Sequence, residues 1–411
     1  MKPSHVTRCC IAGGGPAGMM LGLLLARAGV DVLVLEKHGD FLRDFRGDTV
    51  HPSTLDVMAD LGLRDVFLAR PHDKVRTLRA NMSGRPVTVA DFSRLSPTHA
   101  FVALMPQWEF LDFLCDEAER HPNFRLLRNA EATGLVEVDG RVAGVRFRHD
   151  QAEHAVAADL VVAADGRHSV LRAAAGLAVR DIGAPIDVLW MRLPKQPGDE
   201  NQTGGYVDAG HFMATIDRGS YWQCAYVIAK GGIAALQARG IEAFRADVAR
   251  AAPVLAERVD QLADWRDVKL LSVTVDRLDR WWKPGLLCIG DAAHAMSPIG
   301  GVGINLAVQD AVAAGNLLRD ALADRSVGAE ALTPLLARVQ RRRSFPARIT
   351  QAVQVAIQNR LLTPVLQRDA HGPTAPLGVP WPLRLMQRLP WLQALPAYAV
   401  GIGARPERVR R

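Results

Sequence analysis

The chain has 411 residues, long for a single domain and suited to two closely joined ones. Its hydrophobic content of 49% is ample for a core, nothing in it is low-complexity, and no apolar run reaches the roughly 18–20 residues a membrane span needs. The net charge of +7 comes from arginines scattered among apolar segments, late ones above all (Arg341-Arg342-Arg343, Arg405, Arg408, Arg410), which argues against nucleic acid and for anionic small molecules.

Val6 to Ala12 is mostly apolar and ends in a glycine run, as a buried parallel strand does. Gly13, Gly15 and Gly18 then match G-x-G-x-x-G, with Pro16 and Ala17 opening a helix that runs to Ala28. Gly13 permits the tight turn, Gly15 lets backbone approach a pyrophosphate, and Gly18 lets helix pack on strand. The helix N-terminus aims free N–H groups at the phosphates. Asp31 to Leu35 is the next strand, and Glu36, followed by Lys37, stands where an acid bonds a ribose hydroxyl. Glu36 would repel the 2′-phosphate of NADP.

Pro52-Ser53-Thr54 opens a further helix carrying Leu55, Met58, Leu61 and Leu63. Residues 75–105 read as strands and turns, with Val87-Thr88-Val89 as one short strand. Trp108 to Arg120 is an amphipathic helix with Phe110, Leu111, Leu114 and Ala118 on one face. Gly134 to Arg148 alternates around Val138-Asp139-Gly140-Arg141, a hairpin signal. Asp159 to Ala164 is again a buried strand, leading into Asp165-Gly166-Arg167-His168-Ser169-Val170-Leu171-Arg172.

Residues 180–280 change character. Val188 to Leu193 and Tyr221 to Val227 alternate, as an antiparallel sheet with one covered face does. Ile241 to Ala256 reads as an intervening helix. Leu286 to Ile289 returns to the first domain as a strand and enters Gly290-Asp291-Ala292-Ala293-His294, then Pro298 and Gly300-Gly301-Val302-Gly303-Ile304-Asn305. Gly303 to Leu322 and Leu332 to Leu362 are long helices, and the proline-rich last fifty residues are short helices and turns wrapped on the surface. The resulting fold class is α/β: a Rossmann-like dinucleotide domain (1–180 and 281–365), a β-sheet substrate domain (181–280) and a C-terminal wrap (366–411).

Five cysteines (9, 10, 115, 224, 288) are odd in number and form no C-x-x-C, so they read as reduced, mostly buried thiols. Cys9 and Cys10 are strand neighbours and point to opposite faces. The start, Met1 to His5, leads straight into the first strand with no signal peptide, and a cytoplasmic protein is expected. No His/Cys cluster has metal-ligand spacing, so no metal is expected.

Taken together, the three motifs resemble those of the single-component FAD monooxygenases of the para-hydroxybenzoate hydroxylase type, over roughly residues 5–325. The resemblance implies FAD as cofactor. The first motif would hold its pyrophosphate and Glu36 its ribose. Asp165 and Gly166, in D-G-x-x-S-x-x-R, match a pattern tied to both FAD and NAD(P)H, and Asp291 matches the acid that bonds the ribityl chain. Pro298 belongs to the same cofactor-binding motif, in which Gly301, Gly303, Ile304 and Asn305 would place backbone N–H groups near the isoalloxazine ring, favouring negative charge on the reduced flavin. Arg46 and Gln107 match single family residues near the flavin and on its ribityl-phosphate side. For Asp291 a helix cap, for Arg172 a surface ion pair and for His294 a structural place are the bland alternatives.

The implied chemistry is a monooxygenation: NAD(P)H reduces FAD, O2 forms a flavin hydroperoxide, and one oxygen passes to an aromatic substrate of phenol or quinone type. No second glycine motif serves the nicotinamide, so NAD(P)H binds transiently. The substrate would sit under the 188–228 sheet, with Trp190, Arg192, Tyr206, His211, Met213, Gln223 and Tyr226 as lining candidates, only about half of them facing inward. His211, Tyr226 and Arg192 are the catalytic candidates, His211 as acceptor of a phenol proton. Alternatives are another FAD oxidoreductase of the fold (epoxidase, alkene reductase, halogenase) or a non-catalytic FAD-binding protein. Trp281-Trp282-Lys283-Pro284 does not match the Trp-x-Trp-x-Ile-Pro stretch of halogenases. A monomer or homodimer is expected. The segment from Pro380 to Leu395 reads as surface packing, a dimer interface, a lid, or a foot making weak peripheral membrane contact.

Overall fold

The computed structural model describes residues 3–42, 48–199, 203–368 and 377–410. At the centre of its larger sheet lies His5–Ala12, with Val32–Leu35 and the second half of Ala152–Ala163 parallel on either side. Phe124–Leu127 and Leu286–Cys288 extend the parallel set outward. These strands are covered on both faces, which is why they read as continuous apolar runs. Cys9, Ile11, Val34 and Val162 point into one core, Cys10, Ala12, Leu35 and Val161 into another, and all five cysteines are buried and free.

Three helices cover the first face: Pro16–Arg27, Gln107–Glu119 and Gly303–Ala323. The second face carries the hairpin Glu131–Val138/Arg141–His149, turned at Asp139 and Gly140 with φ of 51° and 76°. Positive φ at both central residues twists the two strands in the right hand for pairing. The hairpin pairs antiparallel with the first half of Ala152–Ala163, so one long strand serves both arrangements.

The second sheet has seven strands, in the order Lys269–Leu271, Ile186–Pro194, Tyr221–Ala229, His211–Asp217, Gly204–Asp208, Thr77–Met82, Arg85–Asp91. Its last two strands come from the first part of the chain, and Gly204–Asp208 runs parallel to Thr77–Met82. The second sheet is therefore not contained within 181–280: residues 77–91 belong to it as well.

Helix Ile241–Ala251 packs on one face of this sheet. The sequence reading carried that helix to Ala256. It stops earlier because Pro253 forces Ala252 out of the helical region, to φ −132° and ψ 86°, and tighter turns follow over Pro253–Gln261. The long helix Thr333–Ile357 continues through a wider turn, Gln358–Leu362. Helices Trp381–Arg388 and Ala394–Gly401 lie on the outside, where Gln387 donates to the Thr88 carbonyl at 2.8 Å on the edge strand of the second sheet.

Candidate active site

The first motif folds as its glycines require. Gly13 has φ 104°, and a Cβ there would run into the Ala164 carbonyl. A Cβ on Gly18 would run into the Gly13 carbonyl. Gly15 is different: among the described residues nothing lies within 4 Å of where its Cβ would be. Gly15 is the N-cap of helix Pro16–Arg27, whose first-turn N–H groups have no side-chain cap, and Pro16 sits in the first turn, where its missing N–H costs nothing. Two of the glycines are thus required by the fold, while the third opens onto space beside a bare helix N-terminus. Glu36 is buried next to this turn, accepting from Gly14 N at 2.9 Å and His38 N at 3.0 Å. Lys37 is exposed.

The second motif continues the strand Ala152–Ala163. Ser169 Oγ caps helix Val170–Ala174 by accepting Arg172 N at 3.0 Å. Asp165 Oδ2 accepts Leu171 N at 3.3 Å, and its Oδ1 is buried with no partner among the described residues. Burial pushes the Asp165 carboxyl up from its ordinary value. Gly166 turns the chain with φ 86°. Arg172 is not a surface arginine. It is buried, donates to the Ala292 carbonyl at 3.3 Å and to the Arg167 carbonyl, and pairs with Asp276 at 3.3 Å.

The third motif lies against both. Gly290 has φ 58°, and its Cβ position is 3.1 Å from the Ala17 methyl. Asp291, about one third exposed, lies in the short turn Gly290–Ala292 and stands 3.6 Å from Arg167. Pro298 precedes the turn Ile299–Gly301, where Gly301 has φ 62° and its carbonyl accepts Thr49 Oγ1 at 2.7 Å. Helix Gly303–Ala323 starts there, again with no side-chain cap, and Ile304 is buried in its first turn. The Asn305 side chain is taken up locally, accepting from His51 N at 3.0 Å and Thr54 Oγ1 at 2.7 Å, so only its backbone remains for a ligand. His294 has a structural place: its Nε2 is 2.6 Å from Asp310 Oδ2, both fully buried.

Motifs separated by more than a hundred residues therefore meet, the first touching the second at Gly13 and Ala164 and the third at Ala17 and Gly290, with Arg172 bridging second to third. Two uncapped helix N-termini, an open glycine, a buried acid at the ribose position and an orphaned Asp165 oxygen form a donor and acceptor set that fits FAD. Gln107 opens helix Gln107–Glu119. Arg46 lies outside the described residues. Among the described residues no cluster of three or more His, Cys, Asp or Glu is placed to hold a metal ion.

The second sheet sorts its candidates by face. Tyr206, Met213 and Tyr226 pack with Phe244 and Val248 of helix Ile241–Ala251, and Tyr226 meets the Phe244 ring edge-on at 5.4 Å. His211 shares that face, its Nδ1 2.6 Å from the Tyr226 hydroxyl. Burial pushes the Tyr226 hydroxyl well above its ordinary value. These four lie on the helix-covered face, opposite the face that joins the cluster bordered by the third motif's loop. Trp190, Phe212, Ala214 and Ala225 occupy the opposite face, in an apolar cluster that Ile299 of the third motif's loop also borders. Arg192 shares that face but lies exposed near its end, over the Tyr221 ring at 5.1 Å. Gln223 is committed: its Nε2 donates to Asp48 Oδ2 at 2.9 Å.

Sequence reasoning missed Asp48, buried and paired with both Gln223 and Arg218. Burial raises its carboxyl above the ordinary range against the pull of Arg218. Its one signal was position, two residues after Arg46. Phe212, Ala214 and Ala225 were missed because small or ordinary core residues carry no chemical label.

Residues 6–352 match the protein-family model described as an FAD binding domain. Over 358 residues the chain is 34% identical to 6-methylpretetramide 4-monooxygenase of Streptomyces rimosus, covering 87% of this chain and 84% of that protein. It is 27% identical to rifampicin monooxygenase of Streptomyces venezuelae over 73% of its own length, and spans 61% of that longer protein. The fold superposes on P. aeruginosa PqsL, solved in complex with 2-aminobenzoylacetate, with TM-score 0.73 and 24% identity, covering 89% of this chain and 98% of that one.

Proposed function

The chain belongs to the FAD-dependent aromatic monooxygenases, and on that premise we propose that it hydroxylates an aromatic substrate with NAD(P)H and O2, the substrate lying between the third motif's loop and the Trp190 face of the second sheet. The observation that carries the site is that Ile299 and the sheet face bearing Trp190, Phe212, Ala214 and Ala225 border one apolar cluster. It sets an apolar roof beside the loop that leads into the uncapped helix Gly303–Ala323.

FAD in this site would supply the redox chemistry, passing two electrons from NAD(P)H to O2 so that one oxygen atom enters the substrate and the other leaves as water. The protein contributes position and environment. The backbone N–H groups at Gly15, Ala17 and Gly18 would take the pyrophosphate, and Glu36 retains lone pairs for a ribose hydroxyl. Asp165 and Asp291 would accept from the ribityl side. The first-turn N–H groups of Gly303–Asn305 would face the ring and favour its anionic reduced form. Small residues at 214 and 225 would let a flat substrate approach this face, and its apolar lining would exclude water.

We further infer that the substrate is an aromatic of the polyketide type related to 6-methylpretetramide; the 34% identity to the monooxygenase of that name supports this choice. The test is aerobic NAD(P)H consumption under 18O2 over a panel of polycyclic phenols, with product masses. A product one labelled oxygen heavier is the expected outcome. NAD(P)H use that no aromatic stimulates, or a product without label, would overturn the reading.

A further inference from the structure

We propose that the C-terminal segment Trp381–Tyr398 is a docking surface for an anionic lipid bilayer. Trp381, Trp391 and Leu395 are exposed to 69%, 63% and 63%, and Leu385, Leu389 and Tyr398 are exposed as well. Trp381, Leu385 and Leu389 are spaced four apart and share one side of the helix Trp381–Arg388 and its end. Leu383 and Met386 are half-buried, and Gln387 anchors the helix to the Thr88 carbonyl. The segment is therefore held to the protein and presents its large apolar residues outward. Single exposed apolar residues are ordinary; six in one short stretch, two of them Trp, are not.

Charge selects the occupant. Arg384 and Arg388 are exposed on the same helix, and from residue 370 to residue 406 the sequence has no Asp or Glu. In a two-fold contact between copies the patch would meet itself, bringing arginines against arginines with no carboxylate of the segment to answer them. A lid would turn its apolar side to the site, whereas this segment rests on the outer edge strand Arg85–Asp91 with Trp381 and Trp391 in solvent. Anionic headgroups answer the arginines, and Trp is the side chain suited to the boundary between headgroup and acyl chain. The inference is independent of the flavin reading.

Flotation of the full-length FAD-loaded protein tests it, with vesicles of phosphatidylcholine alone or with about a third phosphatidylglycerol. Binding is expected to the anionic vesicles only and to fall with salt. Trp381→Ser with Trp391→Ser should weaken it more than tenfold, and Arg384→Gln and Arg388→Gln about fivefold each, the equivalent of roughly 1 kcal/mol per arginine. All four side chains are exposed, so melting temperature and turnover of soluble substrate should be unchanged. No flotation of the wild type, or equal flotation of all variants, would overturn the proposal. A concentration-dependent dimer that Trp391→Ser dissociates, without flotation, would assign the patch to a second copy and overturn it too.

Discussion

His294 and Asp310 lie 2.6 Å apart in full burial, and through them the end of the chain supports the third motif. The same Asp310 oxygen accepts Gly290 N at 3.1 Å, and the other accepts Arg343 Nε at 2.8 Å. Arg343 is in turn 3.7 Å from Glu407, which is fully buried and bound by Arg342 at 2.7 Å. Burial pushes the Asp310 carboxyl up, but His294 and Arg343 outweigh it and hold it below the usual range. Asp310→Asn would strand a buried guanidinium, a change typically costing about 3 kcal/mol or more. Urea unfolding should show that loss, together with weaker FAD binding from a loosened Gly290; an unchanged midpoint would mean that Glu407 alone satisfies Arg343.

The glycines of the first motif should separate by experiment. Gly15→Val keeps an allowed backbone and meets open space, so the apo protein should fold with unchanged circular dichroism and bind no flavin. Gly18→Ala should fail to fold, because its methyl collides with the Gly13 carbonyl. A yellow Gly15→Val protein would refute the assignment of the phosphate approach.

Asp291→Ala should leave the fold intact, since the side chain is about one third exposed and, among the described residues, pairs with Arg167 at 3.6 Å. Loss of a charge-assisted bond to a ribityl hydroxyl is worth about 1.5–3 kcal/mol, roughly a ten- to hundredfold rise in the FAD dissociation constant. Flavin fluorescence titration measures it, and unchanged affinity would leave Asp291 as a turn residue.

The two faces of the second sheet predict opposite phenotypes. Tyr226→Phe removes the bond to His211 on the helix-covered face, so stability should fall by about 1 kcal/mol while kcat, KM and their pH profiles stay put. Trp190→Ala, on the other face, should raise KM for the aromatic substrate. Steady-state kinetics distinguishes them. A pH profile that moves in Tyr226→Phe would restore His211 and Tyr226 as catalytic candidates.

His51 supplies a pH test. Burial lowers its pKa to about 4 despite the 2.7 Å contact of Nδ1 with the Val400 carbonyl, in which the neutral ring's N–H donates. The unfolded side chain titrates near 6.5, so the unfolded state binds the extra proton between the two values. Stability from this group is complete above pH 6.5 and is lost as pH falls towards 4, by on the order of 3 kcal/mol in all. Melting temperature against pH should therefore be flatter over that interval in His51→Gln than in the wild type.

The sequence by itself determined the local pieces of the cofactor site. Strand, glycine turn, helix and acid at 6–36 are legible because each is set by neighbouring residues: side-chain period, φ requirement, the run of apolar groups. The order and spacing of the three motifs named the chemistry for the same reason. Which residues meet across the chain was decided only by the tertiary structure. A motif place and a surface ion pair both remain open for Arg172 until Ala292 and Asp276 are seen to close over it, and Asp48 has no signature until Gln223 and Arg218 reach it. Most telling is the second sheet. Alternation says that half its residues face one way, but not which half faces the cofactor. The partners of each face decide that: Phe244 and Val248 claim Tyr226 and His211's side, and Ile299 claims that of Trp190 and Ala225. A two-residue period is a property of the strand, whereas the identity of what covers each face depends on helices and loops up to about a hundred residues away.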